Sequence, residues 1–302
     1  CQTNLSRSIF KFIMNAWSET YDIKNKKQKI QKPNFDTKIG REFLAFYLQT
    51  KFKQVLNFDK KNDEHLFLEV RDDFIPNFLN RLVNYPNMKI LIGITGESAS
   101  GKSSICSEIQ KIITKFNMPI TIINADNYFR DISDLIKKYG TFDNLRDNGH
   151  DVDAPENFRL ELLAEHAYDL KNGKDIKAPK YLTNGTGVSV LNAIDVKTNK
   201  IVVIEGMATM FEPVKSLFDI KIYVETTRKT RRKRFLDRAS ERNQDKENAY
   251  KHWDYVEKAG EKYIKPAKSF SDIVVNGECS LEYFTQVIEF INHITNCFSE
   301  AD

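Results

Sequence analysis

Eight consecutive residues carry the clearest chemistry: Gly96-Glu97-Ser98-Ala99-Ser100-Gly101-Lys102-Ser103, followed by Ser104. Their order fits the pattern G-x-x-x-x-G-K-[ST]. Gly96 and Gly101 let the main chain close around an anion, and successive N–H groups leading into a helix supply partial positive charge. Lys102 would reach the β- and γ-phosphates of a nucleotide, and the Ser103 hydroxyl would ligate Mg²⁺. Gly96, Ser98, Ala99, Ser100, Gly101, Lys102, Ser103 and Ser104 therefore form the candidate nucleotide-binding set. Two carboxylates occupy comparable places further along. Asp126 ends the β-rich run 120–125, and Glu205 ends the apolar run 201–204. In an open parallel sheet, ligands bind beyond the carboxyl ends of the strands. Asp126 and Glu205 can therefore converge with Ser103 on one metal ion. The run 228–242 adds eight cations: Arg228, Lys229, Arg231, Arg232, Lys233, Arg234, Arg238 and Arg242.

The elements that must hold these residues are visible in the spacing of apolar side chains. The run 90–94 reads as a buried strand, and Ile105, Ile109, Ile112, Ile113 and Phe116 recur at helical spacing after the loop. Further strands are expected at 120–125, 201–204, 220–224 and 271–275. A helix is expected from 153 onward, with Leu160, Leu163, Ala167 and Leu170 on one face, and another over 281–294. The segments 176–181 and 188–191 flank Thr183-Asn184-Gly185-Thr186-Gly187 as a β-hairpin, while 140–151 is too rich in Asn, Asp and Gly for regular structure. Strands alternating with helices give an α/β fold, a five-stranded parallel sheet flanked by helices. Residues 1–87 read as an N-terminal helical extension, with apolar faces at 5–16 and 44–55 and a third helix from about Asp73 that turns Phe78, Leu79, Leu82 and Val83 inward. Residues 88–302 form the second domain. The lysine-rich stretch 22–39 reads as a solvated linker.

Bulk properties narrow the classes. The 302 residues include 46 basic and 42 acidic side chains, a net +4 that suits an anionic nucleotide but does not argue for nucleic acid, and the basic stretches lack interleaved aromatics for stacking. No run reaches the roughly 18 apolar residues of a membrane span. The four cysteines, Cys1, Cys106, Cys279 and Cys297, show neither C-x-x-C nor zinc spacing, so a reducing, cytoplasmic location is expected. A homo-oligomer is left open.

The phosphate loop, Asp126-Asn127-Tyr128-Phe129, Asp153-x-Pro155-x-x-Phe158, Leu170-Lys171-Asn172-Gly173 with Pro179-x-Tyr181, Ile204-Glu205-Gly206, Tyr263-Ile264-Lys265-Pro266 and Ser271-Asp272-Ile273-Val274-Val275 together resemble the uridine kinase and phosphoribulokinase family over about 88–295. Pantothenate kinases of the same superfamily also carry a helical extension. The resemblance implies a P-loop NTPase kinase fold and transfer of the ATP γ-phosphoryl group, with Mg²⁺, to a hydroxyl of a small metabolite. It places Asp126 as the catalytic carboxylate, with Lys102, Arg238 and Arg242 on the phosphoryl group and Ser103, Asp126 and Glu205 around the metal. Asp126, Tyr128, Asp153, Tyr181, Arg231 and Arg234 would meet substrate, Asp153 through ribose hydroxyls, and 228–258 would form a lid. Uridine or cytidine is the implied acceptor. The set that reads the pyrimidine is nevertheless replaced: Leu182 stands for an aspartate, Asn184-Gly185-Thr186 lacks the histidine, Arg159 replaces a further aspartate, and Asp237-Arg238 inverts the family's Arg-Asp pair. Pantothenate or a sugar phosphate is the alternative acceptor, and a nucleotide-binding regulatory protein is an alternative of another class.

Overall fold

The computed structural model describes residues 45, 68–85, 87–115 and 119–278. The helical faces expected at 5–16 and 44–55 (helical Ala45 excepted), the lysine stretch 22–39 and the closing helix at 281–294 lie outside the described residues. So do the side chains expected inward at Ile109, Ile112, Ile113 and Phe116.

Two compact units are distinguished, one containing 68–71 and 88–278 and the other containing 72–87. The first unit opens with a short strand, β1 (Leu68–Val70), inside the segment expected to be helical. The second unit contains α1 (Phe74–Asn84), which forms as its spacing predicts. Pro76 lies in the first turn, Phe74, Phe78, Leu79, Leu82 and Val83 are buried, and the Phe74 and Phe78 rings stack at 5.7 Å. Asp73 takes the N-cap position without a side-chain capping bond.

In the first unit the chain continues through β2 (Ile90–Thr95), α2 (Lys102–Lys115), β3 (Ile120–Asn124), α3 (Ser133–Tyr139), α4 (Phe142–Asp147), α5 (Leu160–Lys171), β4 (Ile176–Tyr181), β5 (Ser189–Val196), β6 (Ile201–Glu205), β7 (Ile220–Glu225), α6 (Arg228–Glu241), α7 (Lys246–Ala259) and β8 (Ile273–Asn276). The sheet order is β1-β8-β7-β2-β6-β3. The five strands expected from sequence run parallel, and β1 pairs antiparallel with β8 at the edge. Every residue of β2 and β6 is buried, as continuous apolar runs in a two-sided parallel sheet require.

Register sets the active end. Glu205 pairs with Ile94 on one side and with Asn124 on the other. The chain therefore leaves β2, β6 and β3 at one level, which brings Gly96, Gly206 and Asp126 to a common edge. Side chains lock this register. Asp219, whose side chain is fully buried, accepts the Leu91 N–H at 2.8 Å and the Lys171 ammonium at 2.8 Å, tying α5 to β2 and β7. Asp272 accepts the Lys221 N–H at 2.8 Å and fixes β8 against β7. The main core gathers Leu160, Leu163, Ala167 and Leu170 of α5 against Leu91, Ile123, Val202 and Ile204 of the sheet.

Two local expectations are corrected. The segment 140–151 contains helix α4, because its polar residues act as caps: Thr141 accepts the Asn144 N–H at 3.1 Å. The helix expected from 153 begins at Leu160. Pro155–Asn157 form a single tight turn before it, and Arg159 takes its N-cap position. The hairpin forms as expected, with β5 extending to Val196.

Candidate active site

The loop between β2 and α2 is shaped by close approaches. A Cβ on Gly96 would lie 2.5 Å from the Val224 carbonyl oxygen and 2.7 Å from Ser100 Oγ, so no larger residue fits. Gly101 has φ 105°, and Ala99 adopts a left-handed φ of 61°, an arrangement that turns successive N–H groups toward one point. Ser103 and Ser104 are exposed at the start of α2, where first-turn N–H groups have no intrahelical acceptors. The loop is braced from outside. Thr226 Oγ1 donates to the Ser100 carbonyl at 2.7 Å, and Arg234 spans the Ser100 and Gly277 carbonyls at 3.3 and 3.0 Å.

Lys102 folds back on the loop, its Nζ donating to the carbonyls of Gly96 at 2.6 Å and Glu97 at 3.1 Å. Its side chain keeps some exposed surface while the ammonium end is enclosed, and this burial holds its pKa below the usual lysine range, opposed by Asp126 and Glu205. Asp126 is delivered by the tight turn Ala125–Tyr128, whose cap is made by Asn124: its Oδ1 accepts the Asp126 N–H at 2.7 Å. Asp126 keeps solvent-exposed surface, but protein packs around the carboxylate. That packing raises its pKa, while Lys102 and the Met207 N–H pull it down. Glu205 is 7% exposed. Its pKa is raised by burial and by the Asp126 charge and lowered by Lys102. Gly206 makes room for this pair, since a Cβ there would sit 3.1 Å from Asp126 Oδ1. Arg238 also acts on the Lys102 charge. Lys102, Asp126, Glu205 and Arg238 thus form one electrostatic group. Two mutually repelling carboxylates and a serine hydroxyl exposed at the start of α2 are hard oxygen donors of the kind Mg²⁺ takes.

Asp153 is close enough to Asp126 to feel its charge. It is 9% exposed, 3.7 Å from Arg146, and its pKa is raised by burial first and then by Asp151 and Asp126. It lines a cavity of about 230 Å³ with Arg146, His150, Tyr255, Lys258 and Lys262. Tyr181 is half-buried against Phe129 at 5.3 Å between ring centroids, and burial pushes its hydroxyl up to about 12.

The remaining residues expected at the site stand elsewhere. Tyr128 is fully buried in the main core, its hydroxyl 2.8 Å from His166 Nδ1, and so cannot meet an acceptor. Arg231 is 3% exposed and enclosed by Glu97 and Glu257. Arg234 is occupied with the loop carbonyls. Arg242 is exposed at the end of α6 and reaches the group only through its repulsion of Arg238. Sequence reading missed Asn124, Phe129 and the role of Arg159. The Arg159 guanidinium donates to the Phe129 carbonyl and, at 2.9 Å, to Ser189 Oγ, binding the hairpin to the segment that follows Asp126. The hairpin tip spends its polar groups on itself, with Thr186 Oγ1 donating to Asn184 Oδ1 at 2.6 Å.

Comparison with known proteins gives a consistent grouping. The family model described as Phosphoribulokinase / Uridine kinase family matches residues 91–281. Uridine-cytidine kinase B of Dictyostelium discoideum is 27% identical over 226 residues, 74% of this chain and 88% of that protein. A uridine kinase of Staphylococcus aureus is 30% identical over 189 residues, 61% of this chain and 86% of that protein. Among solved structures, one described as a fructose transport system kinase from Silicibacter aligns at a TM-score of 0.48 and 16% identity, covering 60% of this chain and 85% of that one.

Proposed function

The chain belongs to the phosphoribulokinase and uridine kinase family, and from that premise we propose that it transfers the γ-phosphoryl group of ATP to a hydroxyl of a pyrimidine nucleoside, uridine or cytidine. The observation that carries the reading is the gathering of Lys102, Asp126 and Glu205 at the carboxyl ends of three adjacent strands as one electrostatic group. Glycines with close neighbours and a helix start beside them suit a triphosphate.

In this reading the loop N–H groups hold the β- and γ-phosphates, and Lys102 leaves its loop carbonyls to pair with them. Asp126 accepts the proton of the acceptor hydroxyl. Ser103, Asp126 and Glu205 would hold Mg²⁺, which supplies charge neutralisation at the phosphates. Arg238 faces the transferring group. Phosphoryl transfer runs through a loose transition state, so positioning and charge do most of the work and the base adds about 10²–10⁴-fold.

The nucleoside assignment draws on the names of the similar kinases and on Asp153, enclosed beside a cavity on the acceptor side. One observation favours a second acceptor class. Arg146, Lys258 and Lys262 line that cavity and would suit an acceptor with an anionic end, such as a sugar phosphate or pantothenate. Acceptor-dependent ATP consumption with uridine, cytidine, purine nucleosides, pantothenate, ribulose 5-phosphate and glycerate separates the two. The highest kcat/KM is expected for a pyrimidine nucleoside. A preference for an anionic acceptor would overturn the nucleoside assignment and keep the kinase.

A further inference from the structure

The second residue of the phosphate loop is a buried glutamate, and its side chain faces away from the nucleotide position. Glu97 is 7% exposed. One carboxylate oxygen accepts from Arg231 Nη2 at 2.9 Å, and the other accepts from the Tyr223 hydroxyl at 3.3 Å. Arg231 is 3% exposed and belongs to α6. Its guanidinium also meets Glu257 of α7, with Nη2 3.2 Å from Oε1 and Nη1 2.9 Å from Oε2. The second contact lies off the hydrogen-bonding direction of Oε2, so it is Coulombic in character. Arg228 adds a bond to Glu257 Oε1 at 2.9 Å, and the indole of Trp253 lies 5.5 Å from the Arg231 guanidinium carbon. At the end of α7, Gly260 packs so closely on Glu97 that a Cβ would lie 3.4 Å from its Cγ and Oε1.

This arrangement is more than an internal salt bridge. Glu97, Glu257 and Glu261 bring carboxylate oxygens within 4.8 Å of one another, a density of negative charge that calls for cations: Arg231 bridges Glu97 and Glu257, and Lys265 pairs with Glu261 at 2.7 Å. The main-chain carbonyl of the same Glu97 accepts both from Lys102 Nζ at 3.1 Å and from the Ser100 N–H at 3.1 Å. One residue therefore contacts both lid helices through its side chain and the loop lysine through its backbone.

We propose that Glu97, Arg231 and Glu257 are positioning residues that lock the base of the α6–α7 lid to the first turn of the phosphate loop, so that nucleotide seated in the loop and Arg238 of the lid hold a fixed relation. The proposal rests on the kinase reading for its kinetic consequence, but its mechanical part concerns any nucleotide the loop binds. Replacing a buried ion-pair triad by apolar residues of similar volume is often neutral for stability. The apolar triple variant Glu97→Leu/Arg231→Met/Glu257→Leu can therefore keep the fold and lose the charge geometry.

The test is hydrogen exchange of the full chain with and without ATP and Mg²⁺, read separately over 96–103 and 228–259, together with kcat and KM. In the wild type, nucleotide should slow exchange in both segments. In the triple variant it should still slow 96–103 but no longer protect 228–259. kcat should fall about 10- to 100-fold, the scale of a ~1 Å misplacement of reacting groups, with the KM for ATP changed by less than about threefold. Glu97→Gln, which keeps shape and removes charge, should move the same readouts in the same direction, and it decides the matter if the triple variant does not fold. ATP-dependent protection of 228–259 that survives in the folded variants, with wild-type kcat, would overturn the proposal and leave the kinase standing. Coupled protection in the wild type that is lost in the folded variants, with phosphate transferred to no acceptor, would uphold the lock and refute the kinase reading.

Discussion

At the scale of single residues, the account assigns different work to side chains that share one charge group. Lys102→Ala should abolish phosphoryl transfer with the fold intact, because the Lys102 ammonium is held by the loop carbonyls and is coupled to Asp126 and Glu205. Circular dichroism and a transfer assay check both halves. Asp126→Asn should lower kcat by about 10²–10⁴-fold with little change in ATP affinity, as expected for loss of a base. Burial of the carboxylate raises the Asp126 pKa above its ordinary 3.8 in the metal-free chain, and a base works only when ionised. The acid limb of kcat/KM for MgATP, which reports the nucleotide-free enzyme, should therefore lie above the usual carboxylate range, with rate lost as pH falls through it. A limb at the ordinary carboxylate value would argue that another group controls it. Lys102 was legible in the sequence from the glycine-loop spacing, and Asp126 and Glu205 because each stands at the end of an apolar run, where a strand end fixes what comes next. Tyr128 and Arg231 were not. Tyr128 sits two residues after Asp126 in a tight turn that points it back into the core, and the partners of Arg231 lie 134 and 26 residues away in sequence. No local pattern encodes such distances.

At the scale of elements, α6 and α7 form a hairpin whose contacts are mostly polar or aromatic. Phe235 holds both His252, at 5.2 Å, and Trp253, at 5.5 Å, between ring centroids. Burial is the main cause that pushes His252 down from 6.5 to about 4, helped by Arg146 and Arg242 and opposed by Asp143. A depressed histidine is neutral in the folded chain and takes up a proton on unfolding. Its contribution is therefore complete above pH 6.5 and is lost as pH falls toward 4. The loss should be at most roughly 3 kcal/mol. Urea midpoints at pH 7.5 and 4.5 measure it, and His252→Gln should remove that part of the pH dependence. If the variant and the wild type lose stability in parallel over this window, His252 is not the group responsible. The run of cations in α6 was plain from sequence, but its division of labour was not. Arg231, Arg234 and Arg238 sit on one helix, where Arg231 pairs with Glu97, Arg234 bonds the loop carbonyls and Arg238 acts on the Lys102 charge. Helix α4 was hidden for the opposite reason. Its Asn and Asp residues look like loop composition until Thr141 and Asn144 are seen to cap it.

At the scale of the molecule, the parallel sheet was the most legible feature, because strands buried on both faces must be apolar throughout. The order β1-β8-β7-β2-β6-β3 was not, since pairing between strands far apart in sequence depends on register locks such as Asp219 and Asp272 that no short motif announces. The three-residue β1 was too short to show any periodicity. A site formed at the meeting of three strands couples nucleotide binding to global stability. Saturating ATP and Mg²⁺ should raise the unfolding midpoint by about 5–10 °C, the shift expected at about 100 times Kd, and Lys102→Ala should lose most of that rise. Scanning fluorimetry reads this without any acceptor. The central claim, transfer to an acceptor hydroxyl, is tested most directly with ATP carrying ¹⁸O in its γ-phosphoryl group, Mg²⁺ and the acceptor panel, with products weighed by mass spectrometry. The account predicts a pyrimidine nucleoside monophosphate bearing the labelled phosphoryl group from the wild type and none from Lys102→Ala. Label found only in inorganic phosphate, or a labelled product formed equally well by Lys102→Ala, would contradict it.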